Sequence, residues 1–205
     1  MKTIITIGRQ FGSGGKEVGI RVAKELGIPF YDKELLQEAA RKSGLCQKIF
    51  ENFDERPKSL LYSIAMDSYM FSLPGAGTSD SLEQQVYLAT FDTIRHIAEQ
   101  GPCVIIGRCA SSILRDRKNV LSVFIYADEA DRVARIARRN GLDEREARAR
   151  MRKMDRMRKH YFDFYADTQW GDPESYDVML SSSHYGVDGC VDLLCESLQK
   201  GNSHE

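Results

Sequence analysis

The 205 residues carry 29 Lys and Arg against 30 Asp and Glu, a formal net charge of -1. That balance gives no general attraction to a nucleic-acid polymer or an anionic membrane, so any phosphate recognition must come from a local cluster. No apolar run reaches the roughly 18 residues of a membrane span, and Met1 leads into an apolar run without a signal-peptide pattern, which predicts one cytoplasmic domain over residues 1–205.

In chain order, residues 3–7 read as a short buried strand. A glycine-rich stretch, Gly8-Arg9-Gln10-Phe11-Gly12-Ser13-Gly14-Gly15-Lys16-Glu17, follows. Residues 16–26 then place Val18, Val22, Ala23 and Leu26 at helical spacing. A strand is expected over 28–31, and Asp32 stands at its end, either as a helix N-cap or as a carboxylate near a metal and phosphate. The stretch from about 45 to 81 breaks the pattern and reads as a helical insertion, with a flexible loop at Pro74-Gly75-Ala76-Gly77.

Residues 82–100 return to helical spacing, and strands are expected over 103–106 and 120–126. Arg108 lies just past the first of these, at the edge where open α/β sheets bind ligands, although a connecting loop can also carry an arginine there without function. Asp128 precedes a helix and needs only a capping role. Basic residues dominate 138–159, and a last strand is expected over 176–180 after a turn at Gly171-Asp172-Pro173. Strands alternating with helices predict an α/β fold with a parallel sheet wrapped by helices. Five scattered cysteines without a C-x-x-C pair and four histidines without i, i+4 pairing predict reduced thiols and no structural metal.

The glycine stretch carries the chemistry. Glycines let backbone N–H groups turn onto a phosphate, the following helix offers its positive end, and a lysine can place its ammonium on the terminal phosphates. An ordinary strand-to-helix turn is the plain alternative. The stretch departs from G-x-x-x-x-G-K-[ST]: Gln10 stands where the first glycine belongs, and Glu17 replaces the hydroxyl residue. A carboxylate there suits magnesium, bound directly or through water. Among the basic residues of 138–159, Arg148, Arg152 and Arg156 fall on one helical stripe, either a solvated face supported by i, i+4 pairs or a set of guanidiniums facing transferred phosphate.

Gly12-Ser13-Gly14-Gly15-Lys16-Glu17, then Ile28-Pro29-Phe30-Tyr31-Asp32-Lys33-Glu34-Leu35, then Ile105-Ile106-Gly107-Arg108, and finally Trp170-Gly171-Asp172-Pro173, together resemble the cytidylate kinase-like family over nearly the whole chain. The resemblance implies a P-loop NTPase-type core, a helical acceptor-side insertion at about 45–81 and an arginine-rich lid at about 138–165. It implies ATP and Mg2+ as cofactors and a small nucleotide, CMP or dCMP first, as phosphoryl acceptor. Gly12, Ser13, Gly14, Gly15, Lys16 and Glu17 are the expected donor-binding residues. Lys16, Arg108, Arg152 and Arg156 are expected in catalysis, Asp32, Arg108 and Asp155 at the acceptor, and Glu17 and Asp32 at the metal. Cytidylate kinases proper have an aspartate after the Gly-Arg pair, where this chain has Cys109. The alternatives are a P-loop kinase for another small metabolite, or a nucleotide-binding regulatory protein without turnover.

Overall fold

A computed structural model describes residues 3–32 and 79–201. The chain divides into two compact units, residues 1–32 with 98–205 and residues 33–97. The first unit is built on five strands: β1 (Ile4–Arg9), β2 (Phe30–Tyr31), β3 (Val104–Ile106), β4 (Val120–Tyr126) and β5 (Val178–Ser181). They form one sheet in the order β2-β3-β1-β4-β5, with every neighbouring pair parallel. β1 is central, and its Ile5 lies opposite Val104 on one side and Leu121 on the other.

The described helices are α1 (Gly15–Leu26), α2 (Ser79–Gln100), α3 (Ala110–Ile113), α4 (Glu129–Asn140), α5 (Glu144–Tyr165) and α6 (Ser182–Gly201). α1 and α6 cover one face of the sheet. There Ile5, Ile7, Val104, Ile106, Val123 and Ile125 meet Val18 and Val22 of α1 and Val191 and Leu194 of α6, all fully or nearly fully buried. A parallel sheet buried in this way needs continuous apolar strands, which is why these runs stood out in the sequence. On the other face Phe124 packs edge-on to Trp170 and tilted against Tyr176, with ring centroids 5.3 and 4.8 Å apart.

β1 runs two residues beyond the expected strand, because Gly8 and Arg9 pair with Phe124 and Ile125 of β4. β2 is shorter than expected: Pro29 has no amide to give to a ladder, although its carbonyl accepts from Val104 N at 2.8 Å. β5 begins at Val178 rather than at Tyr176. Asp172 caps the 3-10 turn Pro173–Ser175 that leads there.

α4 and α5 form an antiparallel hairpin with its own small core of Val133, Ile136, Ala147 and Met151, against which Phe11 and Leu142 pack. Gly141 closes α4 in the left-handed region, φ 63°, and Asp143 opens α5 with a capping box. Its carboxylate accepts from Glu146 N at 2.8 Å, and the Glu146 carboxylate accepts from Asp143 N at 3.3 Å. The expected lid segment, 138–165, thus takes in the end of α4 and all of α5.

In the second unit the described element is α2, where Thr93 Oγ1 donates to the Ala89 carbonyl at 2.6 Å. The expected insertion over about 45–81 lies outside the described residues except for its end, which begins α2. Among the described residues no helix is long and apolar enough to cross a membrane. The cysteines 103, 109, 190 and 195 are buried free thiols.

The capping box is exposed and separable from the rest of the hairpin. Asp143→Ala is expected to lower stability by about 1 kcal/mol, seen in urea denaturation as a shifted midpoint with an unchanged slope.

Candidate active site

The loop between β1 and α1 sits at the carboxyl edge of the central strand. Gly12 and Gly14 adopt φ 83° and 81°, conformations that other residues enter only at a cost. Gly14 is also the N-cap of α1 and brings no side chain to the helix end. Val18 N already bonds the Gly14 carbonyl at 3.0 Å, but among the described residues no acceptor meets the amides of Gly15, Lys16 and Glu17. They are the orphan donors of a helix start, left available to an anion.

The loop carbonyls, in contrast, are held by side chains, most of them from outside the loop. Arg158 Nη1 donates to the Arg9 carbonyl at 3.0 Å, and Ser13 Oγ donates to that of Gln10 at 2.9 Å. Arg135 Nη1 donates to Gly12 at 2.5 Å, and Ser182 Oγ of α6 donates to Ser13 at 2.6 Å. Gln10 ties the loop to β4, its amide donating to the Ile125 carbonyl at 3.1 Å and its Oε1 accepting from Ala127 N at 3.0 Å. These bonds fix the path of the loop, and with the amides of Gln10, Phe11 and Ser13 also committed, those of Gly15, Lys16 and Glu17 are the ones offered to a phosphate among the described residues.

Asp155 of α5 is the junction. Its Oδ1 accepts from Phe11 N at 2.7 Å and its Oδ2 from Arg132 Nη1 at 2.5 Å. Both side chains are largely buried, with 17% and 9% exposure, so each charge depends on the other. Phe11 meanwhile lies under the Arg158 guanidinium, 5.3 Å from its ring centroid.

Lys16 extends from the first turn of α1 to Asp32 at the end of β2, with Nζ 2.6 Å from Oδ2. The lysine is half exposed and the aspartate nearly buried. Glu17, the next residue of α1, is exposed. Among the described residues no three His, Cys, Asp or Glu side chains converge into a metal cage. Magnesium does not need one: it keeps several waters and takes one or two carboxylates together with substrate phosphates. An aspartate at the loop lysine fits that donor set.

In the turn after β3, Gly107, Arg108 and Cys109 are all left-handed, with φ 69°, 57° and 55°. Arg108 stacks over Tyr161, 5.8 Å from the ring centroid. The Cys109 thiol faces the Tyr161 carbonyl at 3.9 Å, and burial pushes it up to about 12, so it stays neutral.

The structure therefore brings Gly12, Ser13, Gly14, Gly15, Lys16, Asp32, Arg108 and Asp155 into one unit around the loop. It does not bring Arg152 or Arg156 there. Arg152 is exposed and reaches Glu129 at 3.5 Å, Arg148 pairs with Glu129 and Glu144, and Arg156 is exposed. The inward row of α5 is Met151, Asp155, Arg158 and Phe162. Sequence reasoning missed Arg9, Arg132, Arg135 and Arg158, and the buried apolar positions Ala147, Met151 and Phe162 were the signal for that row. A polar cavity of about 280 Å³ between Ser111, Arg117, Ser122, Thr168 and Asp177 contains none of the expected site residues.

A glycine loop between β1 and α1, a lysine at the helix start and this parallel strand order define a P-loop phosphotransferase of the kinase type. A model of the cytidylate kinase-like family matches residues 4–184, and the chain belongs to that family. Cytidylate kinases from Archaeoglobus fulgidus and Methanopyrus kandleri are each 24% identical to it, over 95% of this chain and 94% and 92% of theirs. Among solved structures, an uncharacterized protein from Eubacterium ventriosum is 33% identical with a TM-score of 0.73, covering 97% of this chain and 99% of its own. Shikimate kinase from Bacteroides thetaiotaomicron shares the fold at 14% identity and a TM-score of 0.53, over 97% and 99%.

Breaking the junction on one side strands a buried charge. Asp155→Ala is expected to cost about 3 kcal/mol, and adding Arg132→Met to recover part of it, measured as a double-mutant cycle by chemical denaturation.

Proposed function

We propose that this chain transfers the γ-phosphoryl of ATP to the phosphate of a nucleoside monophosphate, CMP or dCMP first. The observation that carries the reading is the set of amides at the start of α1 that meet no acceptor among the described residues, beside Lys16, at the sheet edge near Arg108 and Arg158. The amides of Gly15, Lys16 and Glu17 hold the donor phosphates, and Lys16 leaves Asp32 to place its ammonium on their terminal oxygens. The bond to the β-phosphate breaks as an acceptor phosphate oxygen bonds to the transferred phosphorus, with no covalent enzyme intermediate. Positioning and electrostatics supply the rate. Mg2+, when bound, supplies neutralisation of the donor phosphates. Asp32 and Glu17 are the carboxylates proposed to hold it, directly or through water.

Membership of the cytidylate kinase-like family and the named relatives support this acceptor class. Cys109 favours a second reading, a kinase for a different small acceptor, since a neutral buried thiol replaces the aspartate that cytidylate kinases present at this position.

ADP release over a panel containing CMP, dCMP, UMP and non-nucleotide alcohols separates the two, and nucleotide binding with no release from any of them would indicate a regulatory protein. Lys16→Ala is expected to keep the fold by circular dichroism and to lower kcat by at least about a hundredfold. Arg152 and Arg156 are proposed to engage phosphate only when substrates are bound. Arg152→Ala and Arg156→Ala are then expected to lower kcat at least about tenfold, roughly 1.4 kcal/mol of barrier, while Arg145→Ala changes little. Equal, near-wild-type rates in all three would remove these two arginines from the mechanism.

A further inference from the structure

The second residue of the glycine-rich stretch carries a guanidinium that the glycine motif does not require. Arg9 ends β1, and its side chain is threaded between two glycines that make room for it. A Cβ at Gly107 would fall 2.1 Å from Arg9 Nη1, and a Cβ at Gly15 would fall 2.6 Å from Arg9 Cβ. The side chain thus runs from the start of α1, on the donor side, to the left-handed turn after β3, on the acceptor side.

Its charged neighbours are mostly of the same sign. Arg158, bonded to the Arg9 carbonyl, and Arg108, stacked on Tyr161, both repel it, and Asp32 is the charged group that offsets them. Asp32 is engaged by Lys16, and Asp155 by Phe11 N and Arg132. Among the described residues neither Arg9 nor Arg158 forms an ion pair. Burial, then Arg158 and Arg108, hold Arg9 well below its ordinary value, and burial lowers Arg158 to about 10. A guanidinium nevertheless keeps its proton at neutral pH, so the result is a concentration of positive charge in which Arg9 and Arg158 have no ion-pair partner among the described residues.

We propose that Arg9 is a substrate-binding residue that, with Arg108 and Arg158, receives the phosphate of the acceptor, which restricts the acceptor to phosphate-bearing molecules and disfavours neutral polyols. The inference rests on the kinase reading above. A phosphate dianion offers three oxygens to planar forks and matches two or more guanidiniums, whereas an alcohol would leave them uncompensated. Arg9 also belongs to the donor loop by its backbone, so one residue fixes the acceptor phosphate relative to the phosphoryl that it receives.

The test uses inorganic phosphate as probe. The full chain is first saturated with a non-hydrolysable ATP analogue and Mg2+, and phosphate binding is then measured by calorimetry in wild type, Arg9→Met and Arg9→Lys. Wild type is expected to bind phosphate, Arg9→Met at least tenfold more weakly, and Arg9→Lys with an intermediate loss because it keeps charge without the fork. All three should bind the analogue alike within twofold. Without ligand, Arg9→Met should melt no lower than wild type, since it relieves repulsion, whereas a merely structural arginine would lower the melting temperature on removal. Phosphate binding unchanged in Arg9→Met, absent in wild type, or lost in parallel with analogue binding overturns the inference and leaves the donor assignment standing. Failure of the wild type to bind the analogue overturns the donor assignment, and the inference with it.

Discussion

The arrangement depends on the backbone carbonyls of one loop being occupied from outside. A stretch of glycines has almost no side chains with which to hold its own shape and loses more conformational entropy on ordering than any other sequence. Here the order is imposed by neighbours: Arg135 from α4, Arg158 from α5, Ser182 from α6 and Gln10 reaching to β4. Each such bond contributes only about 1 kcal/mol net, somewhat more where a guanidinium donates. Their value lies in direction, because together they fix the path by which the loop enters α1, whose first amides meet no acceptor among the described residues.

Asp155 extends this constraint to the helical hairpin. One carboxylate satisfies a loop amide and a buried guanidinium at once, and Phe11 enters the apolar seam of α4 and α5. The half of α5 that carries Asp155 and Arg158 is therefore committed to the loop, while its opening turns present Arg148 and Arg152 to Glu129 at the surface. One helix thus combines a fixed segment and a solvent-facing one.

The fold was legible where burial is continuous. The strands of a parallel sheet are apolar on both faces, so β3 and β4 emerge from hydropathy alone, and the glycine loop was visible from its position between a strand and a helix. Gly8 and Arg9 were not read as strand because their pairing with β4 leaves no apolar trace. Tyr176 looked like strand because it is aromatic, yet its ring is used against Phe124 and Phe162, ahead of the ladder. The arginines of α5 could not be sorted by charge, since rows at i, i+4 repeat around a basic helix. The row that counts is marked by the apolar residues 147, 151 and 162, and Asp155 and Arg158 lie along it. Arg132 and Arg135 were hidden for another reason: they act on backbone atoms more than a hundred residues away, and no local pattern encodes that distance.

The turn after β3 has a bearing on how such a chain changes over generations. Arg108 and Cys109 are both held left-handed, at a cost of order 1–3 kcal/mol each, by a backbone that also threads Gly107 beneath the Arg9 side chain. Asp and Asn enter this region more readily than Cys does, while β-branched residues are almost barred from it. Exchange between a thiol and a carboxylate at position 109 therefore requires no rebuilding of the turn. A lineage could exchange the two through a single substitution there, with the glycine loop and its supports inherited intact.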